Sequence, residues 1–286
     1  MTMELDGHKF WVILRAVIMV AIGVYLILAI LLTLFQSHFV YYPTHVLDNN
    51  PSNVGLMYEA VSIQSEDGVR LLGWYIPCDS ARATVLLCHG NGGNISHRVS
   101  LIKILHDLKL NVLIFDYRGY GQSEGEPSEM GTYKDAKAAW LYLVRKKDIN
   151  PSNIIIHGRS LGGAVAAHLA REVNPGGLIL ESTFTSAGDI AARMFPYFPI
   201  RLMIHYRYNT ADDLAHCTCP VLIVHSRNDK LIPIKFGREL YKIAHEPKTF
   251  LEITGTHDDG YFTSGQTYIQ GLDKFIDAVT TKSTGE

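Results

Sequence analysis

The sequence predicts an α/β fold: a mostly parallel central sheet with helices on both faces, a small lid insertion, and one transmembrane helix in front of it. Three observations predict it. Short, continuous apolar segments rich in β-branched residues alternate with stretches of helical apolar spacing from residue 83 to 280. That is the pattern of strands buried on both faces and joined by crossover helices. Within it, an apolar strand ending at Ile156 leads through Gly158-Arg159-Ser160-Leu161-Gly162 into a helical segment, 164–173. Strand, tight glycine turn, helix is the context that lifts a serine hydroxyl to a helix N-terminus, where developing negative charge is favoured. The third observation is the apolar run 16–35, whose only clearly polar member is Thr33.

The 286 residues are room for one large α/β domain plus an appendage. With 47% hydrophobic residues, 19% charged residues and a net charge of −2, nothing argues for a nucleic-acid partner. The four cysteines, at 78, 88, 217 and 219, form no C-x-x-C pair and no cluster with histidine, so neither metal nor cofactor is expected. Cys217 and Cys219 are too close for an unstrained bridge, and free or buried thiols are expected; a Cys78–Cys88 bridge would need an oxidising compartment.

At ~1.5 Å per residue, 16–35 covers ~30 Å, the hydrocarbon thickness of a bilayer. Lys9 and Arg15 precede the run and no Lys or Arg follows until Arg70, which places the N-terminus in the cytoplasm and the remainder across the membrane. A cleaved signal peptide fits less well: its apolar core is usually ~7–15 residues and ends at small residues, unlike Thr33-Leu34-Phe35-Gln36-Ser37-His38. A buried core helix fits less well, because an all-round apolar surface suits lipid better than a terminal helix of a soluble domain. The expected division is therefore 1–35, a cytoplasmic stub and anchor, and 36–286, the globular domain with its lid at about 183–219. Phe39, Tyr41 and Tyr42 suit the membrane interface or a first contact with that domain, and 48–53 reads as a polar linker. Segments 59–64 and 69–76 form a hairpin around Asp67-Gly68. Strands are expected at 83–88, 111–116, 153–156, 177–180, 220–224 and 249–253, helices at 96–108, 130–147, 234–244 and 266–280, and a frayed tail at 281–286.

A serine hydroxyl needs a base to take its proton, and the base needs an orienting acid. In a parallel sheet such groups collect at the carboxyl ends of strands. Asp229 follows the strand at 220–224 and His257 follows the one ending at Ile253, in the chain order Ser160, Asp229, His257. Glu181 also ends a strand and is the alternative acid. Asp258 and Asp259 adjoin the histidine too closely to reach its Nδ1, and one of them is expected to steady the loop. The oxyanion donors are expected to be the amides of Leu161 and Asn91, with Gly92 as the alternative to Asn91. His89, His157 and His168 are expected to be structural.

His89-Gly90-Asn91-Gly92-Gly93-Asn94, Asp116-Tyr117-Arg118-Gly119-Tyr120-Gly121-Gln122-Ser123, Gly158-Arg159-Ser160-Leu161-Gly162-Gly163-Ala164 and Gly255-Thr256-His257-Asp258-Asp259, in this order, resemble the α/β-hydrolase superfamily and its membrane-anchored, serine-aminopeptidase-like branch. The single apolar helix followed by Tyr41-Tyr42-Pro43, and the later Asp67-Gly68-Val69-Arg70, are similar to that branch too. The resemblance implies the α/β-hydrolase fold and a triad of Ser160, Asp229 and His257, with Asp116 and Arg118 bracing loops. It departs from the family pattern at His225-Ser226, where a His-Gly pair is usual, which stiffens the acid turn. Arg159 is not required by the chemistry and is expected to pack or to pair with a loop.

The insertion carries Met194, Phe195, Tyr197, Phe198, Leu202, Met203, Ile204 and Tyr206, broken by Pro196 and Pro199, which suits a small cap over an acyl pocket. The expected activity is hydrolysis of a carboxylic ester or thioester of a small acyl or lipid-like substrate through an acyl-enzyme. One alternative is a peptidase or amidase with the same triad, which would need carboxylates to hold an α-amine; Asp189, Asp212, Asp213 and Glu181 are the nearby candidates. The other is a non-catalytic, membrane-tethered binding protein on this fold.

Overall fold

A computed structural model describes residues 7–281. Residues 1–6 of the expected cytoplasmic stub and 282–286 of the expected tail lie outside the described residues. The chain opens with α1, Gly7–Leu34, of a length and composition able to cross a membrane. It begins ahead of residue 16 because Phe10 to Leu14 continue the apolar sequence. After a break at Phe35 follow the short α2, Gln36–Val40, and β1, Tyr42–Pro43. Then come β2, Glu59–Gln64; β3, Arg70–Ile76; β4, Ala83–Cys88; β5, Gly92–Gly93; α3, Val99–Asp107; β6, Leu110–Phe115; and α4, Glu129–Leu141. The second half is β7, Ile154–Arg159; α5, Leu161–Glu172; β8, Gly177–Glu181; α6, Ala187–Met194; α7, Ile200–Met203; α8, Thr210–Ala215; β9, Val221–Ser226; α9, Lys235–Ile243; β10, Lys248–Ile253; α10, Gly260–Thr263; and α11, Gln266–Thr280.

Eight strands make one sheet in the order β10-β9-β8-β7-β4-β6-β3-β2. All neighbours pair parallel except β2 with β3 and β3 with β6, so the hairpin forms the antiparallel edge. Successive strand residues alternate between two cores. Leu86, Leu113, Ile156, Leu180 and Ile223 face α4, α5 and α9, whereas Val85, Val112, Ile155, Ile179 and Leu222 face α3 and α11. Every residue of β4, β7, β8 and β9 is buried, which is why these strands read as unbroken apolar runs. From β4 the chain winds outward to β6 and then back to β7 on the other side. The crevice at the carboxyl ends of β4 and β7 is therefore the topological switch point, where α/β sheets bind ligands.

The structure differs from the sequence expectations in three places. Segment 48–53 is no loose linker: Asn50 caps a single turn at Pro51–Val54, the Asp48 amide donates to Ser96 Oγ (3.1 Å), and Leu56 is buried beside α3. The helix expected over 130–147 stops being α at Leu141 and ends in a wider turn, Tyr142–Lys146, that keeps Leu143 fully buried. Only part of 183–219 is cap. α8 packs on α5 with Leu214 and Cys217 in the core, so the covering part is α6, α7 and their flanks. All four cysteines are free. The Cys78 N–H donates to Asn111 Oδ1, level with the start of β4, whereas Cys88 ends that strand, so the two cysteines lie at opposite ends of β4.

Arg118 braces the edge hairpin. Its guanidinium forms a forked pair with the fully buried Asp135 (2.7 Å) and reaches Asp67 in the hairpin turn (2.9 Å) and Ser65. An Arg118→Met substitution leaves the Asp135 carboxylate buried without its partner, which typically costs ~3–5 kcal/mol. A thermal unfolding scan in detergent should show a lower Tm for Arg118→Met, and an unchanged Tm would exclude the bracing role.

Candidate active site

Ser160 follows β7 directly and heads α5, with φ 55° and ψ −121°, a region that side chains avoid. Neighbouring backbone holds it there: its N–H donates to Glu181 O (2.9 Å), and its carbonyl accepts from Thr183 Oγ1 (2.7 Å) and Gly163 N–H (2.9 Å). The turn needs its glycines for close approach. A Cβ on Gly158 would strike the Gly162 carbonyl and the Ala166 methyl, and one on Gly162 would strike the Cys88 carbonyl.

Asp229, from the turn after β9, and His257, from the loop after β10, meet this serine. With the proton on Nδ1, His257 donates to Asp229 Oδ2 (2.7 Å), and its Nε2 faces Ser160 Oγ at 3.1 Å. The buried carboxylate is held by its second oxygen, which accepts the N–H groups of Leu231 (2.9 Å) and Ile232 (2.8 Å). The His257 loop is steadied from three sides. Asp259 accepts from the Thr256 amide (2.6 Å) and hydroxyl (2.8 Å), Ser226 Oγ donates to Gly255 O, and the Arg159 guanidinium donates to the His257 carbonyl. Ser226 thus links the loops that carry Asp229 and His257.

Glu181 does not approach His257 as an acid. It sits one register step from β7, opposite Arg159, fully buried. It accepts from Tyr268 OH (2.7 Å), Arg159 Nε (3.2 Å) and His157 Nε2 (3.1 Å). Burial works to raise its pKa, but the His157 hydrogen bond and the positive charge beside it outweigh burial and hold the carboxyl at about 2.

Opposite the serine, the Asn91 loop is fixed through its own carbonyl and side chain. Asn91 O accepts Tyr42 N–H (3.1 Å) and Tyr120 OH (2.8 Å), while its Nδ2 donates to Val40 O (3.0 Å). Asn91, Ser160 and Leu161 all line one cavity; Gly92 instead pairs with Tyr42 and accepts from Arg98. Behind the loop, Asp116 accepts the Ile95 amide (2.9 Å) and faces His89 Nε2 at 3.6 Å. Burial raises Asp116 to about 7, close to neutral pH, and lowers His89 to about 3, so the imidazole favours its neutral form. The cavity, of about 360 Å³, is walled by apolar groups including Phe184, Ile190, Phe195, Tyr206 and Leu231. No cluster of three or more His, Cys, Asp or Glu suited to a metal occurs among the described residues.

A family model described as serine aminopeptidase, S33, matches residues 79–203. An alpha/beta hydrolase domain-containing protein, WAV2, of Arabidopsis thaliana is 36% identical over 287 residues, covering 89% of this chain and 93% of the relative. The chain is an α/β hydrolase. A lysophosphatidylserine lipase, ABHD12, of Danio rerio is 29% identical to the hydrolase, covering 82% of this chain and 74% of that protein. Among solved structures, the esterase Pf2001 of Pyrococcus furiosus superposes with a TM-score of 0.71 at 23% identity, over 84% of this chain and 99% of that one.

Sequence reasoning missed four residues at the hydrolase's site. Ser226 was visible only as a departure from the family pattern, and Arg98, whose guanidinium steadies the Gly92 carbonyl, carried no signal. Leu32 and Gln36, from the N-terminal segment, also line the cavity. Their signal was present in the spacing Tyr25, Ala29, Leu32, Gln36, which falls on one helical face.

Because Glu181 is held below the ordinary carboxyl value of 4.5, the folded state binds its proton less readily than the unfolded chain. Its contribution is present above that value and is lost as pH falls from 4.5 towards about 2. Glu181→Gln should lower the Tm at neutral pH and also flatten its acid fall over that window. Tm measured from pH 2 to 7 checks both, and an acid slope unchanged by the substitution would count against the assignment.

Proposed function

We propose that this hydrolase is a membrane-anchored serine enzyme that cleaves carboxylic ester or thioester bonds of small acyl or lipid-like substrates. The observation that carries the reading is the relay Ser160 Oγ–His257 Nε2–Asp229 at the head of an apolar cavity. Ser160 Oγ attacks the acyl carbonyl as its proton passes to His257 Nε2. The N–H groups of Asn91 and Leu161 hold the oxyanion. On collapse, His257 returns the proton to the departing alcohol or thiol, leaving the acyl group on Ser160. Water then attacks with His257 again as base, releasing the carboxylic acid and restoring the serine. Asp229 keeps the imidazole in the tautomer that can accept at Nε2.

The lipase and esterase among its relatives and structural neighbours support acyl chemistry. The aminopeptidase description of the family model favours amides, and the cavity answers it. Asp189 is engaged by Thr185, Ser186 and Arg201; Asp212 and Asp213 pair with Arg171; and Glu181 is buried at the end of β8 with His157, Arg159 and Tyr268. None lines the cavity to hold an α-amine. In the same reading, 1–35 is the anchor and 36–286 the catalytic domain. Lys9 and Arg15 keep the N-terminus cytoplasmic, with the catalytic domain on the opposite side.

A fluorophosphonate probe should label the wild type and leave Ser160→Ala unlabelled. Labelling that survives the substitution would remove Ser160 as nucleophile. Asp229→Asn should lower kcat by a factor on the order of 10⁴, through the wrong imidazole tautomer. A chain-length series of p-nitrophenyl esters should be turned over faster than aminoacyl amides; the reverse order would sink the ester reading.

A further inference from the structure

The cavity has a wall that the catalytic fold does not supply. Leu32 near the end of α1, and Gln36, Phe39 and Val40 of α2, line it together with the cap. The contact is made by one face of the N-terminal segment, since Tyr25, Leu32 and Gln36 are spaced by seven and four residues. The Tyr25 ring stacks on Phe198 of the cap, centroids 4.9 Å apart and 6° from parallel, and its hydroxyl donates to Tyr197 O (3.0 Å). Phe39 packs edge-on against Phe195.

Gln36 is the residue that fits neither a plain anchor nor a plain linker. It is buried, and its side-chain amide bonds the cap backbone with both ends: Nε2 donates to Met203 O (2.7 Å), and Oε1 accepts the His205 amide (2.8 Å). An amide placed at the end of an apolar helix is costly unless both its donor and acceptor are used. Here they close the cap onto the helix.

The surface around this junction is apolar in the same direction as α1. The cap tip, 194–200, holds no charge, and Met194, Tyr197 and nearby Leu202 are exposed, as are Leu34, Phe35 and Phe39. Arg193 and Arg201 border the tip, with Arg201 paired to Asp189 (2.9 Å). Tyr25 lies ten residues before Phe35, about 15 Å along the helix. The cap tip that meets it therefore shares the leaflet from which α1 emerges.

We propose that α1 and α2 form one wall of the substrate cavity and that the cap tip rests in the lipid leaflet, so that acyl chains enter along the helix from lipid and Leu32 sets how long a chain is accepted. This rests on the acyl-hydrolase reading. It adds to that reading a specificity determinant within the anchor and a lipid contact made by the cap.

The test uses the full chain in phosphatidylcholine vesicles. The ratio of kcat/KM for a twelve-carbon ester to that for a four-carbon ester should fall at least tenfold in Leu32→Trp and rise in Leu32→Ala. It should stay unchanged in Val20→Trp, elsewhere on the exposed surface of α1. Because the two Leu32 variants move in opposite directions, general damage to the fold cannot imitate the result. A ratio that follows neither would overturn the proposal. Separately, the added emission of Tyr197→Trp should be quenched by vesicle lipids brominated on the acyl chains; absence of quenching would overturn the leaflet contact. A wild type that binds lipid in this way but turns over no ester would defeat the acyl-hydrolase reading instead.

Discussion

The backbone position of Ser160 is the constraint around which the other elements are arranged. A residue with side chain at φ 55° persists only where its surroundings leave no alternative. Here β8 supplies the carbonyl that takes its N–H, Thr183 and Gly163 take up its carbonyl, and three glycines let α5 lie against β4, β7 and β8 without a methyl group between them. The serine therefore does not move to meet a partner. Asp229, His257 and the Asn91 loop are each brought to it by their own fixed strands, at the point where strand order reverses.

Charge around the serine is arranged in two ways. On one side, Glu181 stays ionised inside the protein because His157, Arg159 and Tyr268 surround it, and Arg159 passes that order on to the carbonyl of His257. On the other, burial behind the Asn91 loop raises Asp116 and keeps the His89 imidazole neutral. The His257 loop is thus tied to an ionic network, whereas the Asn91–Gly92 loop is held by hydrogen bonds with Tyr42, Tyr120, Val40 and the Arg98 guanidinium.

The legible parts of the sequence were those whose physics is local. Strands buried on both faces announce themselves as apolar runs, and the glycine turn sits between a strand and a helix in one stretch of chain. Glu181 stayed open as an acid because sequence shows that it ends a strand and not that its cross-strand neighbour is Arg159. The 48–53 segment read as a linker because its polar composition hides the buried Leu56 that follows it. Gln36 and Ser226 were illegible as clasps, since each acts on backbone far along the chain: His205 lies 169 residues from Gln36, and Gly255 lies 29 from Ser226.

That long reach has a consequence for how the protein is made. The helix α1 leaves the ribosome before its docking partners Tyr197, Phe198, Met203 and His205, which are synthesised well over a hundred residues later. Tyr41 waits similarly for Tyr208, to which its hydroxyl bonds at 2.7 Å. Domains generally fold as units during synthesis, and contacts of large sequence separation form late. The cavity can therefore be completed only after the segment that carries α6 and α7 has emerged. Completion of the pocket is in this way set by chain length, because Gln36 waits 167 residues for Met203.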